Sequence, residues 1–333
     1  MDVAVVGLGL IGGSLLRALA TAGHELYGYD VDPATRATAR TAAAQAPPGA
    51  RWQVPGSLAD TVRRADGRWA DLVAVAVPLP AVGAVFDALA RISYVGQVTD
   101  VTSVKAPVAE LAAERLHSQG QALASFVGGH PMAGRETSGF GAADPTLFDG
   151  CAWVLCLEQQ TPLTEWLGLA ALLTSLGARV VPTTAAEHDE AVAAVSHVPH
   201  LLAAALAAGA AGNPLAATLA AGSFRDGTRV AAGNPALIAA MCGGNAGPLS
   251  TALDALLDNL AGARVALAEA DPIAALARWL APGCAARGGW PPRSGESAVL
   301  PAHREVLLRL GGVGGWVTSV AADLRTVTAV RPA

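Results

Sequence analysis

The chain opens with a strand-like pentapeptide, Asp2-Val3-Ala4-Val5-Val6, that runs straight into Gly7-Leu8-Gly9-Leu10-Ile11-Gly12 and then into the apolar stretch Ser14 to Ala22. Strand, glycine turn and helix in that order constrain the fold more than any other feature. The first glycine permits a tight turn, the second lets a pyrophosphate approach backbone N–H groups at a helix N-terminus, and the third lets helix and strand pack closely. A Gly-x-Gly-x-x-Gly alone is weak evidence. Here a second strand pattern, Glu25 to Tyr29, ends in Asp30, eighteen residues after Gly12. Dinucleotide folds place there the acid that accepts from the adenosine ribose hydroxyls. NAD is the expected cofactor, because a carboxylate repels a 2′-phosphate and Val31-Asp32-Pro33 offer no cation to neutralise one. Arg36 and Arg40 follow at helical spacing and read as a solvated face. The expected cofactor contacts are Gly7, Gly9, Leu10, Ile11, Gly12 and Asp30, with Val77, Pro78 and Thr102 near the ends of later strands.

Strand and helix patterns alternate as far as about residue 184. Asp71 to Pro78 is a buried strand, Ala81 to Ile92 a helix, Val95 to Thr99 a strand, Ala106 to Ser118 a helix, and Ser125 to Gly128 a further strand. Cys151 to Leu157, Thr164 to Leu176 and Arg179 to Pro182 add strand, helix and strand. The expected fold is an α/β Rossmann-type doubly wound parallel sheet over residues 1–185. From Ala185 the period is helical, and an all-helical second domain is expected over 186–281, its wide apolar faces suited to packing between subunits. Residues 282–298, rich in Pro, Gly and Arg, read as a linker, and 299–333 as a short strand-like tail of unknown role.

Composition excludes some partners. The 333 residues are 52% hydrophobic and 15% charged, which suits a compact core. A net charge of −5 argues against a nucleic-acid surface. The longest central apolar run, Leu201 to Gly212, falls short of the ~20 residues a bilayer span needs, so no membrane association is expected. No basic signal segment precedes the first strand. Cys151, Cys156, Cys242 and Cys284 lack metal-ligand spacing and read as reduced thiols. A cytoplasmic location, no metal and a small-molecule substrate are the expectation.

The segment Gly128-Gly129-His130-Pro131-Met132-Ala133-Gly134-Arg135-Glu136 puts one imidazole in a glycine-rich turn behind a sheet strand. Histidine alone among side chains has an unperturbed pKa close to neutral pH, which suits proton removal beside a nicotinamide. The alternative is a turn histidine that satisfies backbone groups. In the helical region, charge concentrates in Glu187-His188-Asp189, Ser196-His197-Val198-Pro199-His200 and Gly222-Ser223-Phe224-Arg225-Asp226-Gly227-Thr228-Arg229. Arginines beside a glycine turn suit bidentate carboxylate binding. The alternative for Arg225 and Arg229 is an ion pair with Asp226 or Glu187.

These segments, with Asp100-Val101-Thr102-Ser103-Val104-Lys105, occur in an order that resembles the prephenate/arogenate dehydrogenase family of tyrosine biosynthesis, over residues 2 to about 245. The resemblance implies oxidative decarboxylation of a cyclohexadiene acid by NAD(P)+, with a C-terminal helical domain that builds a homodimer. It implies that His130 is the catalytic histidine on the ring hydroxyl, Ser103 its orienting partner and Arg229 a substrate-carboxylate ligand. His200, Glu136 and Asp226 would line or gate the pocket, with Ser196 and His197 beside them. Ile238 departs from the pattern, since some relatives carry a pocket-edge tryptophan there. The tail from Val299 is too short to be an evident copy of the regulatory module of some relatives.

Prephenate is the expected substrate, because the acids Glu136 and Asp226 sit beside arginines and leave no evident free anion for an α-ammonium group. Arogenate and a 4-amino-4-deoxy analogue of prephenate are the alternatives. A β-hydroxyacid dehydrogenase or imine reductase would share both domains, yet the helical domain offers no lysine placed as its acid. A non-catalytic NAD-sensing module would not need His130, Ser103 and Arg229 together.

Overall fold

The computed structural model describes residues 1–118, 121–122, 124–135 and 137–333. The chain divides into two compact units, Met1–His188 with Glu296–Arg331, and Asp189–Gly295 with the last two residues. The first unit holds a parallel sheet of β1 (Asp2–Val6), β2 (Glu25–Tyr29), β3 (Trp52–Gln53), β4 (Leu72–Val75) and β5 (Gln97–Asp100). After the small hairpin of β6 (His117–Ser118) and β7 (Gln121–Ala122), β8 (Ser125–Val127) completes it in the order β3-β2-β1-β4-β5-β8. Alternate residues of β1 serve opposite faces: Val3 and Val5 join one apolar cluster, Ala4 and Val6 the other. Helix α1 (Leu10–Thr21) covers the first face. Helices α2 (Pro33–Ala44) and α3 (Leu58–Val62) follow, and α4 (Leu79–Arg91) and α5 (Ala106–Arg115) cover the second face with Val82, Phe86 and Val108. Each such apolar side chain taken out of water contributes about 1.5–3 kcal/mol, which is why a doubly covered sheet tolerates unbroken valine runs.

A second sheet lies in the same unit. It contains β9 (Gly129–Pro131), β10 (Ala152–Cys156) and β11 (Arg179–Thr183), the last two parallel and joined through α6 (Leu163–Ser175). His130 therefore sits in a strand, paired with Val154, and not in the turn expected from its glycines. The chain passes from one sheet to the other at Gly129, where a Cβ would stand 2.8 Å from the Asp100 carbonyl oxygen.

The C-terminal residues return to this sheet. Strands β12 (Ser294–Pro301), β13 (Trp316–Val320) and β14 (Thr326–Pro332) extend it in the order β12-β14-β13-β11-β10-β9. The expected linker at 282–298 is corrected: its first part continues a helix and its last part begins β12. Arg304 ties the tail down, donating to the carbonyls of Glu158 and of Thr161, the latter at 2.7 Å.

Helix α7 (Ala185–Val192) begins in the first unit, and a π-helical turn, Ala193–His197, continues it into α8 (Val198–Ala210). The helical unit continues with α9 (Pro214–Leu219), α10 (Gly222–Thr228), α11 (Pro235–Gly244), α12 (Ala246–Leu267) and α13 (Pro272–Gly288), while α14 (Arg304–Gly312) belongs to the tail. Asn213, Asn234 and Asp271 cap α9, α11 and α13 by accepting backbone N–H bonds, each just before a proline that cannot donate one. Ala193, Val198, Cys242 and Leu249 form a small core, with Ile238 packed against it. Leu219, Val265 and Ile273 are 70%, 64% and 83% exposed. The stretch Ala185–Ala210 is, by length and composition, long and apolar enough to cross a membrane, which corrects the twelve-residue limit drawn from Leu201 to Gly212.

Candidate active site

The glycine turn has the form a dinucleotide requires. A Cβ on Gly12 would lie 1.9 Å from the Gly7 carbonyl oxygen, so helix and strand approach as only glycine allows. Gly9, the N-cap of α1, faces open space: apart from the adjoining residues of the chain, nothing lies within 4 Å of where its Cβ would stand. No side chain caps α1 and no acid stands in its first turn, so the amides of Leu10 and Ile11 and the positive helix end are available to an anion. Val77 lies beside Gly7, and Pro78 is the N-cap of α4.

Asp30 ends β2 next to this turn. Its Oδ2 accepts from the Leu8 amide at 2.8 Å and its Oδ1 from the Asp32 amide at 2.9 Å, which fixes the carboxylate at the mouth of the turn. Arg36 and Arg40 differ from the solvated face expected of them. Arg36 donates to the carbonyls of Asp30 and Val31 and stacks on Tyr29, and Arg40 donates to Val54 and Pro55.

The residues that end β2, β1, β4, β5 and β8 lie at one edge of the sheet, since these strands are parallel neighbours in that order. Asp30, Gly7, Val77, Thr102 and the Gly128–His130 segment thus leave the sheet at the same carboxyl edge, with the order of strands reversing between β1 and β4. Open α/β sheets bind ligands at such a switch point.

At the far end of this row, His130 is held from two directions. Asp100 and Lys105, 0% and 1% exposed, form a buried ion pair. Asp100 Oδ1 accepts from the Gly129 amide at 3.1 Å, and Lys105 Nζ donates to the Gly129 carbonyl at 2.6 Å. The Thr102 hydroxyl, expected near the cofactor, lies between the Asp100 carboxylate, the Val104 carbonyl and the Lys105 ammonium. The His130 ring meets His188, with Nδ1 to Nε2 at 2.8 Å and the rings inclined at 76°. The resemblance names Ser103 as the orienting partner of His130; the contact seen at Nδ1 of the ring is His188.

His188 is itself fixed. Thr184 and Glu187 form a reciprocal cap, the Thr184 hydroxyl accepting from the Glu187 amide and Glu187 Oε2 from the Thr184 amide. These bonds hold the Glu187 carboxyl below its usual range. His188 follows, 3% exposed. Beyond His130, Arg135 pairs with Asp144 at 2.6 Å, and the Asp144 amide donates to the Ser14 hydroxyl of α1. Glu136, expected at the pocket, lies outside the described residues.

In the helical unit, Arg229 and His200 are neighbours. Burial lowers the His200 pKa; a hydrogen bond to the Val230 backbone opposes this and the Arg229 charge adds to it. His200 Nδ1 is buried without a hydrogen-bond partner among the described residues. Asp226 is exposed and pairs with Arg225 at 3.3 Å, the ion pair named as the alternative for that arginine. Ser196 is half-buried in the π-helical turn. His197, expected beside the pocket, is 0% exposed, and Asn245 braces it by bonding both its Nδ1, at 3.1 Å, and the Asp189 carbonyl.

Residues 15–182 match the family model for the prephenate dehydrogenase nucleotide-binding domain, and residues 184–281 that for the prephenate dehydrogenase dimerization domain. The chain belongs to the prephenate dehydrogenase family. Prephenate dehydrogenase of Bacillus subtilis is 33% identical over 243 residues, which cover 71% of this chain and 62% of that relative's length. The solved structure of a putative prephenate dehydrogenase from Corynebacterium glutamicum has 36% identity and a TM-score of 0.76, covering 87% of this chain and 90% of that one. Prephenate dehydrogenase from Aquifex aeolicus, solved with hydroxyphenyl propionate and NAD+, has 25% identity and a TM-score of 0.73, covering 86% and 98%.

Proposed function

We propose that the protein is an NAD-dependent dehydrogenase that converts prephenate to 4-hydroxyphenylpyruvate, with His130 as the base. The observation that carries this reading is the position of His130, held rigidly at the sheet edge where the glycine turn and Asp30 also emerge. The family membership and the NAD+ bound to the Aquifex relative support it. Bound at Gly9 and Asp30, NAD+ supplies a hydride acceptor for the ring carbon that bears the hydroxyl.

The chain's own residues handle the proton. The His130 imidazole takes the proton of the ring hydroxyl as the carbon gives up hydride, and the hydroxyl becomes a ketone. The carbon–carboxyl bond then breaks, carbon dioxide leaves, and the bonding pair enters the ring to leave a phenolate. The phenolate recovers the proton from His130, so the base is regenerated and no net proton is released. Such a base is worth roughly two to four powers of ten in rate. Arg229 beside His200 binds a carboxylate of the substrate, as a guanidinium fork does well. A homodimer forms through the helical unit, whose exposed Leu219, Val265 and Ile273 suit a covered face, and the Ala185–Ala210 helix serves that unit in a cytoplasmic enzyme and spans no bilayer.

Formation of NADH at 340 nm with prephenate, compared with arogenate and with the 4-amino-4-deoxy analogue, tests the reading. A higher kcat/KM for either alternative overturns the substrate assignment, and no turnover of any of the three overturns the reaction.

A further inference from the structure

Two imidazoles 2.8 Å apart share one proton between their facing nitrogens, because two N–H groups cannot point at each other at that distance. For His130 to accept a proton at Nε2, that nitrogen must carry its lone pair, and the ring proton of neutral His130 must sit on Nδ1. Nδ1 is the nitrogen that faces His188 Nε2. We infer that His188 is the positioning residue of the reaction: its Nε2 lone pair accepts from His130 Nδ1–H and thereby keeps His130 in the tautomer a base requires.

The surroundings make His188 suited to this. It is almost wholly buried, so water does not compete for the bond, and the reciprocal Thr184–Glu187 cap fixes the helix turn that carries it. The main chain of the preceding residue is clamped by Asp100 and Lys105, which fixes the point from which the His130 side chain leaves the backbone. When His130 takes the hydroxyl proton, the bond to His188 becomes charge-assisted, a type about twice as strong as a neutral one. The stabilisation thus grows as charge develops, which lowers the barrier and not only the ground state. No proton needs to leave His130 through Nδ1 for this, and none accumulates on His188.

The inference rests on His130 being the base, and two measurements separate the two claims. Ring 15N NMR of the ligand-free wild-type protein at neutral pH reports the His130 tautomer without any reaction; Nδ1–H is expected, and an Nε2–H ring overturns the inference even in an active enzyme. His188→Leu removes the acceptor and is expected to lower kcat by roughly two to three powers of ten, with the prephenate KM changed little. His188→Gln can place its amide oxygen near the position of Nε2 and is expected to recover kcat to within about tenfold of wild type and to keep the Nδ1–H tautomer. A His188→Leu protein with near-normal kcat, or a glutamine variant no better than the leucine variant, overturns the inference. If His188→Leu fails to fold, the wild-type spectrum and the glutamine variant still decide it. Should the wild type turn over none of the three acids, the dehydrogenase reading falls while the tautomer measurement stands alone.

Discussion

Lys105 Nζ donates to the carbonyl of Gly129 at 2.6 Å while it is paired with Asp100, whose carboxylate accepts the Gly129 amide. One buried ion pair therefore grips both polar groups of the residue that precedes His130. Replacing Lys105 with Met leaves the Asp100 charge buried and uncompensated, which costs about 3–5 kcal/mol. Urea unfolding of Lys105→Met checks this, and a loss under 1 kcal/mol means the pair is dispensable. Because Gly129 is released, turnover should fall further than stability alone explains.

His130→Asn removes the base while keeping a polar side chain. Turnover should drop by at least two powers of ten with NAD affinity little changed. Steady-state kinetics together with direct NAD titration check it, and near-normal turnover refutes the role.

Asp30→Ser should weaken NAD binding and relax discrimination against NADP, by removing both the ribose acceptors and the repulsion of a 2′-phosphate. The bonds from Leu8 and Asp32 add a second effect, since the turn itself loses two anchors. The ratio of kcat/KM for the two cofactors is the measurement, and a wild type that already prefers NADP contradicts the assignment.

Arg229→Ala should raise the KM for prephenate by about one to two powers of ten, corresponding to loss of a charge-assisted pair of roughly 1.5–3 kcal/mol. An unchanged KM removes Arg229 from the carboxylate site.

Hydrogen bonds from Thr146, with the Arg135 pair, hold the Asp144 carboxyl at about 2. An unfolded aspartate titrates near ~3.9, so the folded value is the lower one. The stabilisation is complete above about pH 4 and is lost as pH falls toward 2. The melting-temperature gap between wild type and Asp144→Asn should narrow over that range, and a constant gap contradicts the sign.

Much of this was legible from local pattern. Gly7, Gly9, Gly12 and Asp30 signal the nucleotide turn because each has a steric or charge requirement that few residues meet, and the valine-rich runs at β1 and β4 mark strands covered on both faces. The contact of His130 with His188 was not legible, because 58 residues separate the two and nothing local in Glu187-His188-Asp189 says where the ring points. The clamp on Gly129 was hidden for the same reason: Asp100 and Lys105 stood in a recognised segment, yet only sheet order brings them under residue 129. The burial of His197 and its brace by Asn245 were not legible either, because a buried, braced histidine and a ligand histidine look alike in sequence. The tail was underrated because its alternating residues gave strand signals without a partner, and the partner, β11, lies more than a hundred residues earlier.

Since residues 296–331 belong to the unit formed by residues 1–188, the helical unit is an insertion within a body that its own final strands complete. During synthesis, β11 emerges long before β13, and its outer edge stands unpaired while the whole helical unit is being made. An open strand edge is a template for any other chain that offers one. Nascent and truncated forms lacking the tail would therefore be the aggregation-prone forms of this protein, and a stop codon after the helical unit would cost solubility before it cost any residue of the reaction site.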